Sequence, residues 1–266
     1  LMELADIIRK ADDKSQTREE LVTRTFTQIK HLLQVATDYA FDKNLWQNYL
    51  TFLLITNENP FSITCEKVGA NEGSVNYFAK SDFKAFMELF HYDFSALEEY
   101  LGIDCFTRLS NYKAIGKKEL MYNKNVSEKV RMLSEKLAAA ADENEFFDAV
   151  TGFYKAYGVG MFGLNKAFRI QSREDGGVNF CAINNMDAVM LDDLIGYEIQ
   201  KKKLVDNTLA FVEGKKANNV LLFGDSGTGK STSIKAIVNE FYDQGLRMIE
   251  IYKHQFKDLS AVIAQI

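Results

Sequence analysis

The sequence predicts two unlike parts: a mostly α-helical N-terminal domain, and an α/β C-terminal part that begins a parallel sheet. Three observations carry this. As far as Tyr157, apolar residues recur three and four positions apart, the period of a helix. From Lys166 the period drops to two: Phe168 and Ile170 alternate with polar residues, as do Val178, Phe180 and Ala182. Finally, the strand-like run Asn219-Val220-Leu221-Leu222-Phe223 leads straight into a glycine-rich turn and then a helical pattern. The expected divisions are 1–163 for the helical domain, 164–190 for a small β-hairpin linker, and 191–266 for the α/β part.

Composition sets the limits. The chain has 266 residues, 47% of them hydrophobic and 26% charged, with twenty Phe and twelve Tyr to fill a core. Its single proline, Pro60, leaves room for long helices, where average usage would give about thirteen. No apolar run approaches the roughly 18 residues a membrane span needs, and charged residues near the start interrupt any signal-peptide pattern. The net charge of −5 resides before Asp192, which argues against a nucleic-acid grip in the helical part. Cys65, Cys105 and Cys181 have wide, irregular spacing, neither a disulfide framework nor a zinc pattern. Reduced thiols and a cytoplasmic location are the expectation. His31, His91 and His254 stand apart and are expected in packing or surface roles.

Taken in order, Thr17-x-x-Glu20 is a capping box, and the helix it opens carries Phe26, Ile29, Leu33, Ala36 and Ala40 as its apolar stripe. The next helix, 43–56, is apolar nearly all round, contains Trp46, and must end before Asn59-Pro60. Residues 75–90 give a helix with Phe78, Phe83, Phe86 and Phe90 on a core stripe. Ser95-x-x-Glu98 is expected to cap a short helix stopped by Gly102. The polar stretch 111–125 is expected as a surface loop or short helix. Val130, Leu133, Leu137 and Ala141 mark one further helix, and Phe146, Val150, Phe153 and Tyr157 another.

Gly158-Val159-Gly160-Met161-Phe162-Gly163 matches G-x-G-x-x-G, but a dinucleotide fingerprint follows a strand and opens a helix. This one follows a helix and precedes a strand, so it reads as helix termination and a turn. The hairpin comes next, turning at Glu174-Asp175-Gly176-Gly177, with Arg169 and Arg173 as solvated charges.

Gly224-Asp225-Ser226-Gly227-Thr228-Gly229-Lys230-Ser231 fits G-x-x-x-x-G-K-[ST], a phosphate-binding loop. A buried strand at Val220–Phe223 would deliver the chain to a turn. Glycines 224, 227 and 229 would let successive N–H groups point at phosphate oxygens. A helix from Lys230, with Ile234, Ile237, Val238 and Phe241 on its apolar side, would add its positive end. Lys230 would place an ammonium at the β and γ phosphates, and Ser231 a hydroxyl on Mg²⁺.

The order Leu194-Ile195-Gly196-Tyr197-Glu198, an amphipathic helix, Asn218-Asn219-Val220-Leu221-Leu222-Phe223-Gly224 and the loop resembles the start of an AAA+ ATPase module. The fuller run, from Gly196 through Asn207-Thr208 to Gly245-Leu246-Arg247, is similar to a bacterial ATP-binding family, domain of unknown function 815. Asn59-Pro60-Phe61-Ser62 in the helical part also resembles it. The resemblance implies a P-loop AAA+ parallel-sheet domain binding ATP and Mg²⁺. Ile195, Gly196 and Tyr197 would lie near the adenine, and Gly224 to Thr232 would hold the phosphates.

Such an ATPase also needs a metal-binding acidic pair after a later strand, a polar sensor, and an arginine from a neighbouring subunit. Past the loop come only a strand, 247–252, and a helix from about Asp258. Asp243, Glu250 and Asp258 do not follow the apolar run that a metal-binding carboxylate would need. The expectation is therefore an ATPase domain cut short, either with an incomplete sheet or with strands packed differently from the family's.

Three functions fit these residues. The first is a remodelling ATPase, able to act as a homo-oligomer, whose helical domain recognises a protein partner. The others are a nucleotide-gated binding module with little turnover and a small-molecule phosphotransferase.

Overall fold

Thr17 and Glu20 close their capping box as expected: the Thr17 hydroxyl accepts from the Glu20 N–H, and the Glu20 carboxylate accepts from the Thr17 N–H. The helix they open, α2 (Arg18–Tyr39), follows α1 (Met2–Asp12) and buries Leu21, Thr25, Ile29, Leu32 and Ala36. Phe26 is exposed and Leu33 only half-buried, correcting the expected stripe. The stripe that starts at Leu21 and Thr25 runs on through Ile29, Leu32 and Ala36, which leaves Leu33 at its margin. The computed structural model describes residues 1–114, 123–184 and 186–266. These form two compact units, Leu1–Gly160 and Met161–Ile266.

In the first unit, α3 (Leu45–Thr56) starts where Asn44 accepts from the Gln47 N–H. It is the central element, burying Leu45, Trp46, Asn48, Leu50, Thr51, Leu54 and Ile55, and the Trp46 indole donates to the Leu89 carbonyl at 2.7 Å. Pro60 occupies the first turn of α4 (Pro60–Val68), where its missing N–H costs nothing, and Asn59 caps that helix. Phe83 and Phe90 of α5 (Ser74–Phe90) are buried, Phe86 is half-buried, and Phe78 lies on the surface.

Gly102, at φ 63°, ends α6 (Ser95–Leu101) as the sequence suggests. Glu98 does not close a capping box on its own helix, however. Its carboxylate reaches α7 (Cys105–Ser110), accepting from the N–H groups of Phe106 at 2.6 Å and Thr107 at 2.9 Å, and from the Thr107 hydroxyl at 2.6 Å. Burial, with Glu98 beside it as a smaller cause, pushes the Cys105 thiol up to about 11.

Tyr112 forms a backbone bridge with Lys43, and Asn123 caps α8 (Lys124–Ala139). The rest of the polar stretch, 115–122, lies outside the described residues. Val130, Leu133 and Leu137 are buried on α8, while Ala141 falls beyond its end. From α9 (Glu143–Tyr157), Phe146 packs its ring against Phe83 and Phe90.

The second unit is mixed. After α10 (Gly160–Leu164) comes the hairpin of β1 (Ala167–Ser172) and β2 (Val178–Ala182), in register Ile170 opposite Phe180. Arg169 and Arg173 are less free than expected: Arg169 pairs with Glu250 at 2.7 Å, and Arg173 pairs with Asp175. Two helices follow, α11 (Glu198–Val212) and α12 (Lys230–Phe241), then β3 (Met248–Glu250) and α13 (Leu259–Gln265). β3 pairs in parallel with β1, Phe168 opposite Ile249, so the hairpin is two-thirds of a three-stranded sheet in the order β2-β1-β3. Ile170, Val178 and Val262 form a core with Phe180, Ile249, Ile251 and Ala261 around it.

The buried strand expected at Val220–Phe223 is not formed. Residues 219–224 have no strand pairing, and Leu221 and Phe223 are 82% and 86% exposed. A strand needs a neighbour for its N–H and C=O groups. Here the one later strand, β3, lies against β1 instead. The segments therefore pack differently from a sheet that has 220–223 as a member.

Candidate functional site

The glycine loop has a conformation that ordinary residues resist. Gly224, Gly227 and Gly229 have φ of 142°, 81° and 81°, all in the region where a Cβ is strained. Gly229 is also the N-terminal boundary of α12, whose first turn no side chain caps, so its leading N–H groups remain open to an anion. Ala236, Ile237, Val238 and Phe241 anchor the helix below. Ile234 is exposed, a correction to the expected apolar side.

Lys230 folds back over this loop. Its ammonium donates to the Gly224 carbonyl at 3.0 Å, to the Asp225 carbonyl, and to the Thr228 hydroxyl at 3.3 Å. Thr228 in turn donates to the Asp225 carbonyl at 2.9 Å. A cation thus sits at the centre of a ring of backbone dipoles, beside the positive end of a helix.

The segment before α11 faces the loop. Gly196 (φ 84°) and Tyr197 (φ 58°) are successive left-handed residues that reverse the chain at the helix start. Two clamps set its position. Asn239 of α12 donates to the carbonyls of Asp187 and Val189, while Lys235 pairs with the Asp187 carboxylate at 2.6 Å. On the loop side, Asn207 of α11 exchanges two hydrogen bonds with the backbone of Asn218, at 2.9 and 2.8 Å.

Between them lies a cavity of about 600 Å³. Ile195, Gly196 and Tyr197 line one side, and Gly224, Asp225, Gly227, Thr228, Gly229 and Lys230 the other. That volume is in the range of small-molecule and cofactor sites. Ser226, Ser231 and Thr232 do not line it. Ser231 is exposed in the first turn of α12, next to Lys230. Sequence reasoning missed Leu194, Leu222, Phe223 and Ser233, which adjoin the predicted segments, and also Asp193, Gln200, Lys201 and Leu204. The last three recur at helical spacing behind Tyr197, a signal that was present but indistinguishable from an ordinary amphipathic face.

The carboxylates after the loop are engaged elsewhere. Glu250 pairs with Arg169, Asp258 accepts from the Ser172 hydroxyl at 2.7 Å, and neither they nor Asp243 line the cavity. The two lining acids are Asp225, in the loop itself, and Asp193, whose carboxylate accepts from the Met190 N–H at 2.8 Å.

The geometry defines a class of site: a glycine loop and helix start gathered round a lysine, facing a partly apolar wall. Residues 164–266 match the model of a family described as "Protein of unknown function (DUF815)". The match covers the sheet and the whole cavity. No curated protein and no solved structure matches the chain. No helix among the described residues is long and apolar enough to cross a membrane.

Proposed function

We propose that the cavity binds an adenine nucleoside triphosphate with Mg²⁺, as part of an AAA+-type ATPase module. The observation that carries this reading is the meeting of Lys230 and the open start of α12 with Ile195, Gly196 and Tyr197 around one cavity. The phosphate chain would lie on the loop amides and the Lys230 ammonium, exchanging that ammonium's bonds to Gly224 and Asp225 for bonds to phosphate oxygens. The base would lie against Ile195 and Tyr197. Ser231, whose hydroxyl sits in the first helical turn, would reach Mg²⁺ carried in on the phosphates, since that ion keeps most of its ligands as water and phosphate.

A binding module with little turnover is favoured over a working hydrolase by the acids at hand. Asp193 gives one carboxylate oxygen to the Met190 N–H, and Asp225 lies within the loop that would hold the phosphates, so neither lining acid stands after a later strand, where a water-positioning carboxylate is expected. In an assembled parent, a neighbouring subunit would supply the missing arginine, and the helical unit would recognise a protein partner. The exposed aromatics Tyr77 and Phe78 on α5 support that last assignment.

The test is a titration of Mg²⁺ and a fluorescent ATP analogue into the chain and into Lys230→Ala. Losing two charge-assisted hydrogen bonds corresponds to a drop of roughly a hundredfold in affinity, and unlabelled GTP should displace the analogue less well than ATP. An affinity unchanged by Lys230→Ala would remove the loop from the site.

A further inference from the structure

Lys201, Lys202 and Lys203 are a basic run that reads in sequence as one solvated face. The structure separates its members. The Lys202 side chain is 77% exposed and pairs along the helix with Asp206. The Lys201 side chain is 18% exposed and turns inward. Its ammonium donates to the Leu194 carbonyl at 2.8 Å and lies 2.8 Å from the Glu198 carboxylate, and the residue lines the cavity.

What that bond holds is unusual. Leu194 immediately precedes Ile195, Gly196 and Tyr197, the cavity wall opposite the glycine loop. The wall contains a left-handed non-glycine residue, Tyr197, a conformation that L side chains disfavour. It also presents apolar side chains outward: Ile195 is 95% exposed, and Tyr197 is exposed as well. Neither side chain joins a core. A strained turn, secured by the ammonium of a mostly buried lysine side chain, here orients a surface rather than the interior. The chemistry of that surface, an aliphatic branch and a phenol ring, matches a flat heteroaromatic group.

We infer that Lys201 is the positioning residue for the base end of the cavity. Through the Leu194 carbonyl it fixes the Ile195–Tyr197 wall, and so sets the preference for a nucleoside triphosphate over a bare polyphosphate. The two lysines divide the ligand: Lys230 serves the phosphates, and Lys201 serves the base without touching it. This rests on the nucleotide reading of the same cavity.

The experiment compares Mg²⁺-ATP with Mg²⁺-tripolyphosphate by calorimetric titration, using the full chain, Lys201→Met and Lys201→Arg. Methionine keeps most of the apolar stem but removes the donor. For Lys201→Met, ATP affinity should fall about tenfold, the scale of one charge-assisted hydrogen bond, while tripolyphosphate affinity stays unchanged. Lys201→Arg, which keeps a donor in reach of Leu194, should restore most of the preference for ATP. Equal weakening of both ligands, or unchanged ATP binding, in Lys201→Met would overturn the inference. An unmodified chain that prefers tripolyphosphate or binds both equally would overturn it too, leaving the phosphate site standing. Failure of the unmodified chain to bind either ligand would instead refute the nucleotide reading itself, and the inference with it.

Discussion

The two units treat their large apolar side chains in opposite ways. In the helical unit, Leu50, Phe90, Leu133 and Phe146 are wholly or almost wholly enclosed, and Phe146 of α9 meets Phe90 edge to face and Phe83 at a tilt across α5. In the second unit, Ile195, Leu221 and Phe223 stand in solvent beside a small sheet. The cause lies in what each kind of element needs. A helix satisfies its own backbone and has only a stripe to bury, so short connections between helices suffice to close a core. A strand must find a neighbour before its side chains gain anything, and among the described residues β1, β2 and β3 pair only with one another. The apolar run at 220–223 is left without that neighbour. The second unit therefore leaves part of its apolar surface exposed, whereas the first encloses most of its own.

The sharpest way to break this comparison is to cut into the helical core. Phe146 is fully buried and touches Phe83 and Phe90, so Phe146→Ala should cost about 3–5 kcal/mol, the transfer of a ring plus the cavity it leaves. Urea unfolding followed by helical circular dichroism would measure it. A cost under about 1 kcal/mol, the centre of the range for point substitutions of every kind, would show that the core is looser than its burial implies.

How much of this was legible in the sequence differs by element for the same physical reason. Helices were readable because their signals are local: Thr17 with Glu20, Gly102, and the buried spacing of Val130, Leu133 and Leu137. The glycine loop was readable because three positive φ angles must fall on glycines within six residues. Pairings were not. Nothing in Met248–Glu250 says that its partner is Ala167–Ser172 rather than Val220–Phe223, because strand partners are chosen by the whole fold. Lys201 was hidden for a related reason, as one of three identical neighbours distinguished only by which way the helix turns. Glu98 misled because it sits at capping-box spacing from Ser95 yet serves the next helix.

That misreading supplies an intermediate effect. Glu98 gives two backbone N–H groups and one hydroxyl their acceptor in a buried setting. Glu98→Gln keeps the shape, but loses the charge and places an amide donor where one acceptor oxygen was. The expected cost is about 1–3 kcal/mol, read as a lower urea midpoint with an unchanged slope. A change of slope would mean that α6 and α7 had come loose from the cooperative unit.

The smallest effect is expected at Phe223, and its smallness carries the argument. The side chain is 86% exposed and belongs to an unpaired segment, so Phe223→Ser removes little that folding had buried. Surface changes away from caps and cores usually stay within about 0.5 kcal/mol, and the unfolding midpoint should move by no more than that. Leu50→Ser, the same kind of change at a fully buried position of α3, gives the scale for comparison, since it both opens a cavity and buries a hydroxyl. The measurement is urea unfolding of both variants at low and high protein concentration. If Phe223→Ser cost as much as a core substitution, the ring would be buried in solution. A cost appearing only at high concentration would locate the covering surface on a second copy of the chain. A cost present at every concentration would mean that 220–223 has found a partner within its own unit, and the contrast between the two units would fail at its most exposed residue.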